Sequence, residues 1–340
     1  MVIAGAASLL SAGFGGCMAS QPAHVVEQRG VAMGSALQLT AWTRNDEAAV
    51  AAFAAVFAEF DRLESLMSVW RDGSDIVRLN AAAGDHAVPV SVETREVLTA
   101  AREVSEWTHG KFDVTFGALS DLWKFDHDQD NRIPDPAAIR ERLPLIDYRF
   151  VTVDNGAGTA FITRRGARVH LGGIGKGYAI DRAVALLRAK GIGDFMIQAG
   201  GDLYVSGRKG DRPWKLGIAD PRGAPAVSFA SLELSNATLS TSGDYERSFV
   251  TNGRRYHHLL DPDIGEPATG CRSVSIVTDS ALLADGLSTG VFILGPEEGM
   301  ALIERLDNVE GVIVTSTNEV LVSSGLKGKV ELLHQPTDAP

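Results

Sequence analysis

The chain has 340 residues, of which 45% are hydrophobic and 22% are charged, so it can bury a large core and is neither disordered nor fibrous. Its 32 basic residues are outnumbered by 43 acidic ones, for a net charge of -11. Because no basic run clusters the Lys and Arg side chains that nucleic-acid phosphates require, general nucleic-acid binding is excluded.

The first 20 residues differ from the rest of the chain. They are small, apolar and uncharged, which is typical of a secretion signal. Cys17 follows Phe-Gly-Gly in a pattern that resembles a bacterial lipoprotein cleavage box, so a lipid anchor at Cys17 and an ordinary cleaved signal both stay open. Either alternative places the mature protein outside the cytoplasm and leaves Cys271 without a disulfide partner.

The remaining sequence predicts a polar linker at 21–29, a single domain or two intimate subdomains over 30–330, and a tail at 331–340. Apolar spacing predicts helices at 46–67 and 91–108 with a loop between them, the second helix being capped by Ser91. Further helices are predicted at 176–190, 280–294 and 296–306, and strands at 35–42, 151–154, 159–163, 168–171, 195–199, 202–207, 215–218, 228–234, 274–278, 312–316 and 319–323. Since helices and strands do not alternate strictly, we expect an α+β fold with mixed, largely antiparallel sheets and flanking helices.

The acidic stretch after residue 125 resembles a calcium loop at first sight, because Asp126, Asp128 and Asp130 alternate. An EF-hand loop needs Gly at its sixth position and Glu at its twelfth. The chain has Asn131 and Ala137 there, so we interpret the stretch as a solvated loop.

The Gly-rich segment HLGGIGKGYAID, residues 170–181, raises the possibility of a phosphate loop. The Walker pattern needs Gly where the chain has His170, and Ser or Thr where it has Gly177. A P-loop is therefore not expected. Two alternatives stay open: an anion site at the N-terminal end of a helix, and a turn that needs Gly only for its backbone angles.

Three groups of residues could carry chemistry. Asp285 and Thr289 project from one helix face with Ser288 beside them, an oxygen set that suits Mg²⁺ and is too small for zinc; the alternative is a helix cap.

The second group lies in TSGDYERSF (241–249) and RRYHHLLDP (254–262), which supply Asp244, Tyr245, His257 and His258. In a strand the two His side chains point to opposite faces, so only one can serve as a general base, and a packed His without a catalytic role is the alternative. In the third group, Met33 and Trp70 could hold a flat ring, or simply pack in the core.

Eight motifs follow one another along the chain: MGS (33–35), MSVW (67–70), GKFDVTFGALSDLWKF (110–125), HLGGIGKGYAID (170–181), GGDLYVSG (200–207), TSGDYERSF (241–249), RYHHLLDP (255–262) and DSALLADGLSTGVFILG (279–295). In this order they resemble the ApbE family, the FAD:protein FMN transferases. The resemblance covers nearly all of residues 30–325.

The resemblance implies a reaction. FAD is the substrate and Mg²⁺ the cofactor; a threonine hydroxyl of an acceptor flavoprotein attacks the FMN-side phosphorus, AMP leaves, and FMN stays on the threonine through a phosphoester. Acceptors are expected to be subunits of the Rnf or sodium-pumping NADH:quinone oxidoreductase type. The family also implies a lipoprotein on the periplasmic side of the bacterial inner membrane.

The resemblance also implies residue roles. His258 is expected to be the general base. Mg²⁺ is expected to contact Asp285, Ser288, Thr289 and the carbonyl of Gly173. FAD is expected to contact Met33, Trp70, Lys111, Phe112, Asp113, His170, Lys176 and Leu260, while Asp244 and Tyr245 shape the same cleft. The chain departs from the family at His170, where Asp is usual, and at Trp70, where Tyr is common.

Two other functions stay open. A Mg²⁺-dependent FAD pyrophosphatase would use the same site with water as the nucleophile and give FMN and AMP. A periplasmic FAD carrier would bind FAD without turnover and would need no general base.

Overall fold

The computed structural model describes residues 22–126 and 128–339, so the N-terminal segment and Cys17 lie outside the described residues. Across those two ranges, no helix has the length and apolar character needed to cross a membrane.

The described residues form seven α-helices and 18 strands. The helices are α1 Asp46–Met67, α2 Asp75–Ala81, α3 Val92–Trp107, α4 Pro136–Arg142, α5 Gly175–Ala189, α6 Ala281–Leu294 and α7 Pro296–Arg305. The strands are β1 His24–Ala32, β2 Ser35–Thr43, β3 Val88–Pro89, β4 Val151–Asp154, β5 Thr159–Ile162, β6 Phe195–Ala199, β7 Asp202–Ser206, β8 Trp214–Ala219, β9 Ser228–Leu234, β10 Ala237–Gly243, β11 Ser248–Thr251, β12 Arg254–His257, β13 Leu260–Asp261, β14 Glu266–Pro267, β15 Cys271–Thr278, β16 Glu310–Thr315, β17 Val320–Val322 and β18 Glu331–Leu332.

The centre of the fold is an eight-stranded sheet in the order β1-β2-β6-β7-β10-β15-β16-β17, and every neighbouring pair in it is antiparallel. The larger hydrophobic core joins side chains of this sheet to those of α1, α3, α5 and α6. A second hydrophobic core joins strands of the main sheet to strands β8 and β9 of the small sheet β18-β9-β8. The expected α+β fold with largely antiparallel sheets and flanking helices is confirmed.

Side-chain caps fix where the main helices begin. Asn45 accepts a hydrogen bond from the N–H of Ala48 at the start of α1, and Ser91 does the same for Thr94 at the start of α3. At the start of α6, Ser280 accepts from Leu283, while the carboxylate of Asp181 in α5 accepts from the N–H groups of Ala281 and Leu282. This last contact ties α5 to α6.

The two helices meet closely at Gly177. A Cβ atom built there would lie 2.1 Å from the carbonyl oxygen of Ala281 and 2.8 Å from Cβ of Asp285, so only glycine permits this approach. The Gly-rich segment therefore serves helix packing, and Gly177, one of the two residues that depart from the Walker pattern, lies at the crossing of α5 and α6.

Several predicted boundaries are wrong. Residues 24–29 of the expected linker belong to β1, which alternates in exposure and pairs with β2 along its whole length. The expected tail begins with β18, which pairs with β9.

Inside the chain, the expected loop before α3 contains α2, capped by Ser74, and residues 168–171 form only an isolated bridge from Arg168 to Phe116. Strand β10, which the apolar pattern did not predict, lies in the middle of the main sheet and ends at the site described next.

Candidate active site

Two adjoining cavities form one cleft beside the N-terminal end of α5. One cavity contains Lys111, His258, Asp285 and Thr289, and the other contains Met33. The wall common to both is made by Trp70, Phe125, Asp126, His170, Gly172, Lys176 and Arg247. The cleft therefore brings together residues from all eight of the sequence motifs.

An oxygen cluster lies at the floor of the first cavity. Asp285 and Thr289, one helical turn apart on α6, both line it, and Gly173 packs so closely that a Cβ there would lie 3.4 Å from Oγ1 of Thr289. Oδ2 of Asp285 accepts a hydrogen bond from the N–H of Gly177 at 2.9 Å. The anion at the N-terminal end of α5 is thus a carboxylate of the chain itself.

Ser288 has a supporting place beside this cluster. Its hydroxyl donates to the backbone oxygen of Asp285 at 2.9 Å and lies 2.8 Å from Oγ of Ser242. Ser242 also reaches Thr289, with 3.2 Å between the two hydroxyl oxygens. Ser242 of β10 therefore supports this turn of α6 through Ser288 and Thr289. Ser288 itself is not among the described residues that line the cleft.

Lys176 lies between two buried carboxylates. Its Nζ is 2.6 Å from Oδ2 of Asp202 and 3.6 Å from Oδ1 of Asp285. Burial opposes the charge of Lys176, but these carboxylates raise its pKa above the ordinary value. Burial together with the charge of Asp202 raises the pKa of Asp285 to about 7. Once Asp285 is ionised, one cation faces two carboxylates and the cluster carries an excess of negative charge.

The two adjacent histidines have different environments, although β12 ends at His257 and His258 lies beyond the strand. His258 lines the first cavity, and its Nδ1 is buried without a hydrogen-bond partner among the described residues. Burial, followed by the charge of Arg247, lowers the pKa of His258 to about 3. His257 instead has its Nε2 2.9 Å from the carbonyl of Ala268 and its ring against Phe292. His258 is therefore the histidine that can act in the cleft, and it is neutral at pH 7.

The apolar wall of the cleft is built from aromatic rings. Trp70, Phe112 and Leu260 line the first cavity, and Trp70 and Met33 the second. Trp123 and Phe125, which also line the first cavity, stack with Phe249 and Tyr256 in a continuous group with centroid separations of 5.4–5.9 Å. These surfaces suit a flat ring system.

Two of the residues expected to contact FAD are already engaged within the protein. Lys111 forms ion pairs with Asp261 and Asp263, with 2.8 Å between charged atoms in each. Asp113 accepts hydrogen bonds from the backbone N–H groups of Thr115 and Tyr148, both at 2.7 Å, and burial raises its pKa to about 6. Both line the first cavity, but the carboxylate of Asp113 mainly closes a turn.

His170 stands at the boundary of the two cavities. Its Nδ1 accepts a hydrogen bond from the N–H of Gly172 at 3.0 Å, and its ring lies 5.4 Å from that of Phe116. Burial lowers the pKa of His170. It is therefore a neutral ring at the place where the family usually has a carboxylate.

Asp244 and Tyr245 differ from the prediction, since neither is among the described residues lining the cleft. Asp244 forms a bidentate ion pair with Arg222, with both oxygen–nitrogen distances at 2.7 Å. Strand β10 ends at Gly243, so both residues lie in the turn that follows it, and the carboxylate of Asp244 is occupied by Arg222.

Three residues of the cleft have no role in the sequence-based predictions, namely Asp202, Arg247 and Asp126. Asp202 follows the Gly200-Gly201 turn and pairs with Lys176; its place in GGDLY was the available signal. Arg247 lies two residues beyond Tyr245 and pairs with Asp126. The stretch interpreted as a solvated loop therefore contributes Asp126 to the cleft wall.

Comparison with known proteins agrees with this arrangement. Residues 33–313 match the ApbE family. The chain is 31% identical to the FAD:protein FMN transferase of Treponema pallidum, covering 94% of this chain and 93% of that protein. It is also 31% identical to one from Klebsiella pneumoniae over 88% of this chain and 92% of the other.

Solved structures show the same fold. The ApbE protein of Thermotoga maritima superimposes with a TM-score of 0.82 at 31% identity, covering 90% of this chain and 99% of that one. The flavin transferase ApbE of Vibrio cholerae gives a TM-score of 0.81 at 26% identity, covering 91% of this chain and all of its own. The family match and the curated relatives extend over most of the chain, and the chain therefore belongs to the ApbE family.

Proposed function

We propose that this protein transfers FMN from FAD to a threonine hydroxyl of an acceptor flavoprotein, releases AMP and depends on Mg²⁺. The relatives that match most of the chain are FAD:protein FMN transferases. The observation that carries the proposal is that Asp285, Thr289, Lys176 and the neutral His258 line one cavity beside an aromatic wall. The charged residues suit the pyrophosphate of FAD, and the aromatic wall suits its flavin ring.

The donor set fits Mg²⁺. Asp285 and Thr289 present oxygen atoms beside the Gly173 turn, and hard oxygen ligands are those that Mg²⁺ prefers. The excess negative charge around Lys176 favours a cation at this position. Asp285, Thr289 and the carbonyl of Gly173 would hold the ion, with Ser288 bracing the turn. Bound Mg²⁺ supplies neutralisation of charge on the phosphoryl oxygens.

The side chains of the cleft have distinct parts in the reaction. The threonine oxygen bonds to the FMN-side phosphorus while the bond from that phosphorus to the bridging oxygen breaks, and AMP leaves with the bonding electron pair. His258 is positioned in the cleft as a neutral acceptor for the hydroxyl proton. Lys176 places positive charge beside the phosphates. The aromatic wall orients the flavin and limits access of water.

The acceptor and the location are further parts of the proposal. We infer an acceptor subunit of the Rnf or sodium-pumping NADH:quinone oxidoreductase type, and a single functional domain that extends from β1 to β18. The apolar, uncharged residues 1–20 support a position on the periplasmic side of the inner membrane, with Cys17 as the lipid attachment site.

The test is intact-mass spectrometry of an acceptor domain incubated with this protein, FAD and Mg²⁺, with AMP followed in parallel. An acceptor heavier by one FMN group and an equal amount of AMP are expected. AMP and free FMN without the mass gain on an established acceptor would favour the pyrophosphatase. FAD bound without either product would favour the carrier.

A further inference from the structure

We propose that Arg247 is a substrate-binding residue that contacts the phosphate groups of FAD, and that Asp126 holds its guanidinium in place until the phosphates replace the carboxylate. The inference rests on the proposed function in one respect, which is that FAD is the ligand of the cleft. The main observation behind the proposal is that Arg247 lies in the wall common to both cavities.

Arg247 faces both parts of the cleft. It is one of the seven residues that line the cavity with Asp285 and Thr289 as well as the cavity with Met33. A dinucleotide that extends through both cavities has its pyrophosphate between its two halves, and therefore passes this boundary. The charge of Arg247 also acts on groups in both regions, since it contributes to the lowered pKa values of His258 and His170.

The partner of Arg247 is easier to displace than the partners of Lys176. The side chains of Asp202 and Asp285, which face Lys176, are each 4% exposed, whereas Asp126 is 27% exposed. A buried carboxylate that loses its cation is left unsolvated, at a large cost. The carboxylate of Asp126 can return to water when a phosphate takes its place. Replacing the carboxylate partner by a phosphate therefore costs less free energy at Arg247 than at Lys176. Guanidinium also matches phosphate oxygens with two parallel N–H donors.

Arg247 is also joined to the proposed base. Its backbone carbonyl accepts a hydrogen bond from the N–H of His258 at 3.2 Å, because the two residues face each other beside the β11–β12 hairpin. A phosphate that engages Arg247 is thereby placed beside the segment that carries His258. The contact links substrate position to the proton acceptor through one backbone pair.

The test compares FAD affinity of four proteins by fluorescence or calorimetric titration: the unaltered chain, Arg247→Gln, Asp126→Asn and the control Arg254→Gln. Arg254 lies on the same hairpin, pairs with Glu266 outside the cleft, and is 50% exposed. We expect Arg247→Gln to weaken FAD binding about 10- to 100-fold, as for loss of a charge-assisted contact. Asp126→Asn should bind FAD as tightly as the unaltered chain or up to about tenfold more tightly, and Arg254→Gln should match the unaltered chain.

Comparison of the Arg247 and Asp126 variants distinguishes a phosphate-binding role of Arg247 from a purely structural role of the ion pair. If the pair only stabilised the cleft, both variants would weaken binding, and that result would overturn the inference. Equal affinity of Arg247→Gln and the unaltered chain would also overturn it. The deficit of Arg247→Gln should shrink as salt rises from about 0.05 to 0.5 M, because ions screen the charge contact, and a deficit independent of salt counts against phosphate contact. Absence of FAD binding by the unaltered chain would refute the proposed function together with this inference.

Discussion

The backbone N–H of Gly177 donates a hydrogen bond to Oδ2 of Asp285 at 2.9 Å, and this contact exists because α5 and α6 touch at Gly177. A Cβ atom there would lie 2.1 Å from the carbonyl oxygen of Ala281. We expect Gly177→Ala to lower the free energy of unfolding by about 1–3 kcal/mol, as overpacking does, and to reduce FMN transfer because Asp285 is displaced. Chemical denaturation and the acceptor mass assay measure the two effects.

Gly193→Ala is the matched control for this substitution. Apart from Gly193 and its two chain neighbours, no heavy atom of the described residues lies within 4 Å of a Cβ built at Gly193. The free energy of unfolding of Gly193→Ala should therefore change by less than about 0.5 kcal/mol. Equal stability of the two variants would contradict the packing role of Gly177.

Asp285→Asn should change both the pH dependence of stability and the transfer activity. The carboxyl has its pKa raised from 3.8 to about 7, so between these values the folded chain holds a proton that the unfolded chain has released. Stability without divalent ions therefore falls as pH rises from about 4 to 7, and Asp285→Asn should remove that part of the fall. The variant should lose transfer activity by about 100-fold or more.

The effect of Mg²⁺ on the melting temperature tests whether Asp285 binds the ion. At about 100 times its Kd, a ligand adds about 2.7 kcal/mol to the stability of the folded chain. Mg²⁺ should therefore raise the melting temperature of the unaltered protein and of Asp279→Asn, whose exposed carboxylate lies just before α6, but not that of Asp285→Asn. A similar rise in Asp285→Asn would place the ion elsewhere.

His258→Asn should lower the rate of transfer about 100- to 10,000-fold, the usual contribution of a general base, while FAD affinity changes little. His257→Asn is the contrast, because His257 bonds to the carbonyl of Ala268 and packs on Phe292. That variant should lose stability and keep its rate per folded molecule. Comparable rates in the two variants would rule out His258 as the base.

The pH profile gives a separate check on His258. Because its pKa is lowered to about 3, the imidazole of the free protein is already neutral at pH 5. The kcat/KM for FAD, which reports groups of the free enzyme, should show no loss from protonation of His258 between about pH 8 and 5. For stability the sign is the opposite of that for Asp285: the lowered pKa stabilises the fold above about pH 6.5, and this contribution is lost as pH falls.

Asp244→Ala should destabilise the fold without weakening FAD binding by the folded molecules. Removing one partner from a buried ion pair costs about 3–5 kcal/mol, and Arg222 and Asp244 are only 8% and 10% exposed. The double variant Arg222→Met with Asp244→Leu should recover much of the loss, because two apolar side chains leave no unpaired charge. Weakened FAD binding by the stable double variant would show that Asp244 contacts the substrate FAD.

His170→Asp should tighten FAD binding. An Asp side chain can accept the Gly172 N–H that His170 now accepts, and its second oxygen remains for the ligand. Titration of FAD into both proteins measures the change, and His170→Ala, which lacks an acceptor, serves as the control. Weaker or unchanged binding by His170→Asp would contradict this prediction.

Local sequence signals predicted much of the fold. The bounds of α1 and the Ser91 cap of α3 agree with the structure, because apolar spacing and capping residues act within one helix. Residues 24–29 were misassigned because β1 gains its order by pairing with β2, and β10 was missed because its polar residues satisfy partners on neighbouring strands. In both strands the deciding contacts join separate parts of the chain.

The same division holds for the site. The sequence by itself determined the residue types, namely the Asp285 and Thr289 oxygens on one helix face, and one cleft-facing histidine of an adjacent pair. Only the tertiary structure decided that Lys176 pairs with Asp202, that Asp244 serves Arg222, and that Arg247 stands where the two cavities meet. Burial and charge neutralisation depend on which distant side chains come within a few ångströms of one another, and spacing along the chain does not encode that distance.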